Sequence, residues 1–377
     1  MYWQNCNGNQ FATHEIVFNY HQNAWCNSCI FRVVSQLSMF KLITFFLIIS
    51  FSINAQTLQW QNIVPQTDAS FRGLSVVDDS FAWVSGSKGW VGRSTNGGNI
   101  WSFQQLKGYE KCDFRSVYAF DKNNVVIANA GSPAFILVTH NAGTTWTKVY
   151  QDDDSLAFFD GIDFWNKKSG IIYGDPKDGH INILKTSDGG QTWHELPQKS
   201  RPAMAKGEAS FAASGTTIRC SKHGGVAIAT GGAVSRLLVS ENRGRRWKSL
   251  PTPIIQGQST TGIFSFACWN KTKMVIVGGD YKQDTLRKNH IFCTKNGGKQ
   301  WFAPTAPTRG YRECVNYINK QTLLATGPTG SDISYNGGEN WQPANDEKQF
   351  HCIKKARKGT TIIAAGGAGK IAIVVIL

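Results

Sequence analysis

One short motif occurs six times along the chain and constrains the fold more than any other feature of the sequence. Each copy has the form Ser/Thr-x-Asp/Asn-x-Gly-x-x-Trp. The copies end at Trp101, Trp146, Trp193, Trp247, Trp301 and Trp341, so successive tryptophans are 45, 47, 54, 54 and 40 residues apart. A period of this length, built from short strands and glycine turns, is typical of a β-propeller with one motif in each blade.

The chemistry of the motif predicts a clamped turn between two strands. An Asp or Asn side chain can accept hydrogen bonds from nearby backbone amides, and the glycine can adopt the positive φ that a tight turn requires. The motif resembles the Asp-box, also called the BNR repeat. Its Asx positions are Asn96, Asn141, Asp188, Asn242, Asn296 and Asn336. Because only Asp188 carries a charge, we favour a structural clamp in every copy over a metal ligand at Asp188, and we expect no metal site.

The number of blades follows from a second repeated pattern, an apolar β run that ends in glycine. This run occurs seven times, from AWVSG (82–86) to TIIAAGG (361–367), and no motif follows the last one. The segment LQWQNIVP (58–65) resembles the strands that follow the motifs elsewhere. We therefore predict an all-β, seven-bladed β-propeller whose ring is closed by an N-terminal strand that completes the last blade.

The first 55 residues predict export. Met39 and Lys41 precede a 12-residue apolar run, Leu42–Ile53, and Ala55 provides a small residue for cleavage. This is the pattern of a secretory signal peptide, and the run is too short for a stable membrane span. We therefore expect three regions: an extension upstream of the true start (1–38), a signal peptide (39–55) and the propeller (56–377). The mature protein is expected to be periplasmic or secreted.

Charge and cysteine content restrict the partners and leave the state of the thiols open. The formal net charge is +15 and stays near +14 without residues 1–55, which favours an anionic protein or glycan as partner. No recognisable nucleic-acid-binding module occurs, so we do not expect nucleic acid to bind. The propeller region contains six cysteines, which are compatible with disulfides or with buried free thiols. They are Cys112, Cys220, Cys268, Cys293, Cys314 and Cys352.

The middle of the chain contains the stretches FFDGIDFWN (158–166), GDPKDGHINILKTSDGGQTW (174–193) and GEASFAASGT (207–216). Through these stretches above all, residues 57–377 resemble the photosystem II stability/assembly factor-like proteins, in an exported bacterial branch. The resemblance implies a seven-bladed propeller and a role in binding or assembly. Proteins of this branch are often labelled oxidoreductases. Because this chain has no strand–GxGxxG–helix unit, we expect no cofactor.

Candidate site residues come from the innermost strands, which begin with an aromatic residue followed by a polar one. Alternation along a strand directs the aromatic residue between blades and its successor toward the central channel. We expect Arg72, Arg115 and Arg312 to reach a single bound anion, with Asp160, Glu208 and Asp280 on the same face. The alternative is that arginines and carboxylates pair with one another around a wet channel. The full predicted ligand-binding set is Arg72, Arg115, Asp160, Asp175, Glu208, Asp280, Tyr281, Arg312 and His351.

Two classes of function are compatible with these residues. The first is a non-catalytic binding or scaffold propeller that captures an acidic peptide, protein or glycan at the channel mouth. The second is a sialidase-like glycoside hydrolase, whose chemistry requires three arginines, a Tyr nucleophile with a Glu base, and an Asp acid. The sialidase Arg-Ile-Pro motif is replaced by Arg72-Gly73-Leu74. We therefore favour the binding propeller and assign no catalytic residue.

Overall fold

The computed structural model describes residues 58–377, in which 29 β-strands form seven sheets. Two short 3₁₀ helices, Ser87–Gly89 and Gln198–Ser200, are the other regular elements of this region. The expectations for the upstream extension and for the signal peptide lie outside the described residues. No helix within residues 58–377 combines the length and the apolar character needed to cross a membrane.

The first three complete blades are four-stranded antiparallel sheets made from consecutive strands. The described chain begins with β1 (Leu58–Ile63). Blade 1 contains β2 (Phe71–Val76), β3 (Ala82–Gly86), β4 (Trp90–Ser94) and β5 (Trp101–Gln105). Blade 2 contains β6 (Ser116–Ala119), β7 (Val125–Ala128), β8 (Ala134–Thr139) and β9 (Thr147–Asp152). Blade 3 contains β10 (Phe159–Phe164), β11 (Gly170–Lys177), β12 (His180–Thr186) and β13 (His194–Glu195).

Two short strands from the blade 4 region of the chain belong to the sheet of blade 5. Blade 4 is formed by four of the strands β14 to β19, and blade 5 takes the other two, β14 and β17. These six strands are β14 (Glu208–Ala209), β15 (Ile218–Cys220), β16 (Val226–Ala229), β17 (Gly231–Gly232), β18 (Arg236–Ser240) and β19 (Lys248–Pro251). Blade 5 adds β20 (Thr261–Cys268), β21 (Met274–Asp280) and β22 (Ile291–Thr294), in the order β14-β17-β20-β21-β22.

The last blade joins the two ends of the described chain. Blade 6 contains β23 (Cys314–Tyr317), β24 (Leu323–Gly327), β25 (Gly330–Ser334) and β26 (Gln342–Asn345). Blade 7 contains β27 (Phe350–Lys355), β28 (Ile362–Gly366), β29 (Ile371–Ile376) and β1. The antiparallel register of β1 with β29 runs from Leu58 opposite Ile376 to Ile63 opposite Ile371. This pairing agrees with the predicted completion of the last blade by an N-terminal strand.

The six repeats form the clamped turns that the motif predicts. In every copy the Ser or Thr hydroxyl accepts the amide of the motif glycine at 2.9–3.0 Å. The Asx Oδ1 atom accepts the amide of the residue before the tryptophan at 2.8–3.0 Å. The clamped glycine has φ between 72° and 98° in all copies, which favours a residue without a side chain. The turn is therefore specified by local chemistry.

The apolar core lies between blades, as the alternation of the inner strands predicts. Phe71, Phe114, Phe159 and Phe350 are at most 1% exposed. In four inner strands the register shifts by one residue next to this position. Such a bulge places two residues of one strand opposite one residue of its neighbour and changes the direction of the extra side chain. The extra residues are Arg72, Asp160, Phe264 and His351.

The six cysteines of the propeller are free thiols. Cys293, Cys314 and Cys352 are buried, and burial raises the pKa of Cys293 to about 12. A thiol that keeps its proton is a weak nucleophile, so the buried cysteines behave as small apolar groups. Of the two possibilities that the sequence leaves open, residues 58–377 adopt the one without disulfides.

Candidate functional site

A cavity of about 690 Å³ lies where the inner strands begin. We call it the mouth cavity. Its polar lining includes Arg72, Arg115, Asp175, Glu313 and His351, which come from blades 1, 2, 3, 6 and 7. Residues far apart in the chain therefore meet at one opening, as expected for the inner strands of a propeller.

A segment of irregular chain, which we call the crossing segment (residues 210–217), helps to form this cavity. Its first four residues line the cavity. The carbonyl of Ala213 accepts a hydrogen bond from Arg72 Nη1 at 2.8 Å. The Ser214 hydroxyl donates to the Glu313 carbonyl at 2.7 Å. The crossing segment thus connects blades 1 and 6 and gives the cavity a fixed wall.

The centre of the charged lining is the buried carboxylate of Glu313. Arg72 Nη1 lies 3.1 Å from Glu313 Oε1, and His351 Nδ1 lies 2.6 Å from Oε2. The Tyr311 hydroxyl donates to Oε1 at 3.4 Å. Burial opposes ionisation of this carboxyl, but Arg72 and His351 hold its pKa below the usual value. Glu313 is therefore a fixed anion that orients Arg72.

Arg115 is paired more loosely than Arg72. Its Nε atom donates to Asp113 Oδ2 at 2.7 Å, and a third of its side chain is exposed. Neither Nη atom of Arg115 has an acceptor within residues 58–377, and the same holds for Nε and Nη2 of Arg72. Both arginines consequently keep free donors at the mouth cavity.

A second set of acidic groups occupies the blade 3 side of the cavity. Asp175 lines the cavity and accepts one hydrogen bond, from the Ser210 amide at 3.3 Å. Asp160 is completely buried, and neither of its carboxyl oxygens has a hydrogen-bond partner among the described residues. Burial and the nearby Asp175 raise the pKa of Asp160 well above its usual value, although Arg115 acts in the opposite direction.

Aromatic rings form the blade 5 side of the mouth cavity. Phe211 of the crossing segment stacks on Phe264 with ring centroids 3.9 Å apart. Tyr311 packs against Phe264 edge-to-face at 4.7 Å. Tyr281 lies 6.1 Å from Phe264 and is 46% exposed. The cavity therefore presents charged groups on one side and a partly exposed apolar surface on the other.

The structure brings together five of the nine predicted site residues and separates the other four. Arg72, Arg115, Asp175, Tyr281 and His351 line the mouth cavity. Asp160 lies behind the wall of the cavity. Glu208 accepts two hydrogen bonds from Arg236, at 2.7 and 2.8 Å, and one from the Ala205 amide at 2.9 Å, so its carboxylate is engaged outside the cavity. Asp280 is nearly buried and accepts the Lys282 amide at 2.9 Å, so it caps a turn.

The expectation that Arg312 shares an anion with Arg72 and Arg115 is wrong. Arg312 is fully buried, and its Nε donates to Asp332 Oδ2 at 2.7 Å within blade 6. In blade 6 the aromatic–polar pair lies one position earlier, relative to the next strand, than the corresponding pair in blade 7, as the glycines of that strand show. Gly327 approaches Arg312 in the way that Gly366 approaches Phe350. Arg312 therefore occupies the position of the buried aromatic residue, and Glu313 occupies the next position, which faces the channel.

The sequence interpretation also missed residues that shape the site. Glu313, Phe264 and Ser210 line the cavity but carry no local pattern that distinguishes them. The available signal was the stretch GEASFAASGT (207–216), whose alternation is too irregular for an inner strand. The residue types of a sialidase are likewise not assembled, because Arg312 and Glu208 are engaged in ion pairs away from the mouth cavity.

Comparison with known families matches residues 52–157 to a family described as photosynthesis system II assembly factor YCF48. Comparison with curated proteins found no match. Among solved structures, a structure of YCF48 bound to D1 peptide aligns with a TM-score of 0.63 and 17% identity, covering 84% of this chain and 96% of that chain. YCF48 from Cyanidioschyzon merolae aligns with a TM-score of 0.63 and 14% identity, covering 83% of this chain and 98% of the other.

The solved structure of an enzyme is also similar to this chain over part of its length. The GH74 xyloglucanase from Xanthomonas campestris aligns with a TM-score of 0.56 and 14% identity, covering 84% of this chain and 53% of the enzyme. At these identities the structural likeness concerns the fold, because one propeller fold carries many functions. The seven sheets, the six clamped turns and the family match agree with one another. Residues 58–377 form a seven-bladed β-propeller, and the sequence of residues 52–157 matches the YCF48 family model.

Proposed function

We propose that this protein is a non-catalytic binding propeller that captures a segment of another protein at the mouth cavity, in the manner of an assembly factor. The observation that carries the proposal is the cavity itself, with residues from five blades and the crossing segment holding its walls in place. Preorganised walls reduce the entropy lost on binding. The YCF48 structure with a D1 peptide supports a peptide as the ligand class.

We further propose that the captured segment carries an acidic group. Glu313 and Asp113 each use only part of the donor capacity of Arg72 and Arg115. A guanidinium has five N–H donors in a planar fork, so the free donors can still hold a carboxylate. The positive net charge of the chain would assist the approach of such a partner. An acidic glycan offers the same carboxylate chemistry and is the competing ligand.

The protein is also proposed to act outside the cytoplasm. This proposal is supported by the sequence pattern from Met39 to Ala55, a short basic start, an apolar run and a small residue. An exported propeller would meet its partner in the periplasm or beyond the cell. The partner would then be an exported or membrane-anchored protein with an accessible acidic segment.

An array of short synthetic peptides graded from acidic to basic, together with acidic and neutral glycans, tests the proposal. We expect the propeller to retain acidic peptides preferentially. Arg115→Gln should weaken that retention by about tenfold or more, the usual effect of losing a charged hydrogen bond. Arg245→Gln removes the same charge from an exposed turn of blade 4 and is the matched control.

Three results would contradict the proposal. Equal retention of acidic and basic peptides would remove the acidic preference. Retention of glycans without retention of any peptide would show that the ligand is a glycan. An equal loss in Arg115→Gln and Arg245→Gln would show that net charge, and not the mouth cavity, attracts the peptides.

A further inference from the structure

The carboxylates on the two charged sides of the mouth cavity differ in whether a cationic side chain neutralises them. On one side Arg72 lies 3.1 Å from Glu313, and Arg115 lies 2.7 Å from Asp113, so each arginine has its own carboxylate. On the other side Asp175 has no cationic partner among the described residues, and its only hydrogen bond comes from a backbone amide. The cavity therefore contains an acidic group that nothing in residues 58–377 neutralises.

Behind Asp175 lies a set of buried polar groups. Both carboxyl oxygens of Asp160 lack a hydrogen-bond partner in this region. The Tyr173 hydroxyl interacts with the hydroxyls of Thr217 and Ser210. Asp160, Tyr173 and Thr217 are 0% exposed, and Ser210 is 6% exposed. Buried polar groups are nearly always paired, and each unpaired one costs free energy. The Asp160 carboxyl is therefore the buried group in this set that lacks a partner.

Ser210 connects this set with the cavity. It lines the mouth cavity together with Asp175, and its amide is the donor to Asp175 Oδ1. Ser210 is thus part of the wall that a bound group would contact. A ligand group that enters beside Asp175 would have the Ser210 hydroxyl and then the Asp160 carboxyl within its surroundings.

The neighbouring aromatic wall suits the stem of such a ligand group. Phe211 and Phe264 are stacked, and Phe211 belongs to the same crossing segment as Ser210. An aliphatic chain can lie along these rings while its polar end reaches the carboxyls. Aromatic rings next to a carboxylate also attract cations through their quadrupole.

We propose that the blade 3 side of the mouth cavity, lined by Asp175 and Ser210 in front of the buried Asp160 and beside Phe211 and Phe264, binds a primary ammonium group of the captured protein segment. The group is either a lysine side chain or a free amino terminus. An ammonium carries one positive charge and three donors, which matches a carboxylate, a hydroxyl and a second carboxyl. The inference rests on the proposed capture of a protein segment, and it adds a second chemical requirement to the ligand.

The donor set favours an ammonium over a metal ion. Within residues 58–377 no group of three or more His, Cys, Asp or Glu side chains could hold a metal ion. Asp160 and Asp175 supply only two carboxyls, and the other polar side chains nearby are the hydroxyls of Ser210, Thr217 and Tyr173. Hydroxyl and carboxyl oxygens accept well from N–H donors, so the site is suited to an organic cation.

The experiment uses n-butylammonium chloride as the probe, because it reproduces the end of a lysine side chain. Binding to the propeller is measured by ligand-detected NMR and by calorimetry, with n-butanol as the uncharged isostere. We expect n-butylammonium to bind and n-butanol to bind at least about tenfold more weakly, since the alcohol lacks the charge. Asp175→Asn removes the carboxylate of the cavity lining and should weaken n-butylammonium binding by about tenfold or more.

Asp153→Asn is the matched control, because Asp153 is an exposed carboxylate outside the cavity lining. It should leave n-butylammonium binding unchanged. Thermal unfolding of each variant shows whether a loss of binding comes from loss of the fold. Two peptides then separate the sources of the ammonium. One has an acetylated amino terminus and an internal lysine, and the other has a free amino terminus and norleucine in place of the lysine.

Equal binding of n-butylammonium and n-butanol would overturn the proposal. So would binding that survives Asp175→Asn in a folded variant. If acidic peptides still bind in an Arg115-dependent way while n-butylammonium does not, the ammonium site fails and the proposed function stands. If n-butylammonium binds but no peptide does, the ammonium site is retained and the proposed function fails.

Discussion

Arg312 donates from Nε to Asp332 Oδ2 at 2.7 Å, and both side chains are buried inside blade 6. The guanidinium also donates to the Tyr311 carbonyl at 2.8 Å and to the Thr329 hydroxyl at 2.9 Å. Arg309 holds the other oxygen of Asp332 at 2.9 Å. These contacts make Arg312 part of the blade structure, in contrast with Arg115 at the mouth cavity.

Arg312→Ala should therefore destabilise the propeller without weakening ligand capture. Removing one partner of a buried ion pair leaves an uncompensated charge, and we expect a loss of about 3 kcal/mol in the free energy of unfolding. The remaining contact with Arg309 places this value at the lower end of the usual range. Urea unfolding measures the loss, and Arg245→Ala at an exposed turn serves as the control. If the unfolding midpoint is unchanged and peptide binding is lost, Arg312 is part of the binding site.

Deletion of residues 58–63 should open the ring at blade 7. Strand β1 pairs with all of β29, and Trp60 lies 5.2 Å from Phe350 between ring centroids. Without β1 the backbone of β29 becomes an exposed sheet edge, which promotes aggregation. We expect a lower melting temperature and concentration-dependent association in light scattering. Trp60→Ala, which keeps the strand, should show a smaller loss. An unchanged melting temperature after the deletion would contradict the closure by β1.

Asp188→Asn should reduce the acid sensitivity of the propeller. Burial acts to raise the pKa of Asp188, but hydrogen bonds from Thr192, Thr186 and the Gln191 amide lower this pKa to about 2. A carboxyl whose pKa is lower in the folded state stabilises the protein above its unfolded pKa of about 3.9, and this contribution is lost as the pH falls toward 2. The variant lacks this titration, so its stability relative to wild type should rise between pH 4 and pH 2.

At neutral pH Asp188→Asn should change the free energy of unfolding by less than about 0.5 kcal/mol. Asparagine occupies this position in the other five repeats, and Asn141 Nδ2 donates to Thr145 Oγ1 at 2.8 Å in the matching geometry. Melting temperatures from pH 2 to pH 7 test both statements. Parallel curves for the two proteins would show that Asp188 has an ordinary pKa.

Asp160→Asn should have the opposite dependence on pH. Burial and Asp175 raise the pKa of Asp160, with Arg115 opposing and Tyr173 close by. Its contribution to stability is fully present below the unfolded pKa near 3.9 and is lost as the pH rises through the folded value. The melting temperature of the variant relative to wild type should therefore increase from pH 4 to pH 9. The melting temperature of Asp153→Asn should follow that of wild type over the same pH range.

Export predicts a specific mature amino terminus. If Met39 starts the protein and Ala55 ends the signal peptide, mass spectrometry of the exported form should find a terminus near Gln56. Replacing Leu47 with arginine interrupts the apolar run and should retain the uncleaved protein inside the cell. Peptides from residues 1–38 in the exported protein would contradict the prediction.

The sequence alone determined the repeat, the all-β architecture and the seven blades, because these depend on local chemistry. A clamped turn such as that of Ser94, Asn96 and Gly98 is formed by residues within four positions of one another. The alternation that buries Phe71 and Phe350 acts over neighbouring residues as well. Patterns of this kind can be recognised directly in the order of amino acids.

The tertiary structure alone decided which charges meet at the mouth cavity. Arg72 and Glu313 are 241 residues apart and become partners only because blades 1 and 6 face the same channel. A one-position offset before β23 places Arg312 where blade 7 has Phe350, and Glu313 where blade 7 has His351. Register within a blade and contact across the ring are set by packing between distant segments. A single inner-strand pattern could therefore predict that charged residues gather at the mouth, but not which of them remain free to bind.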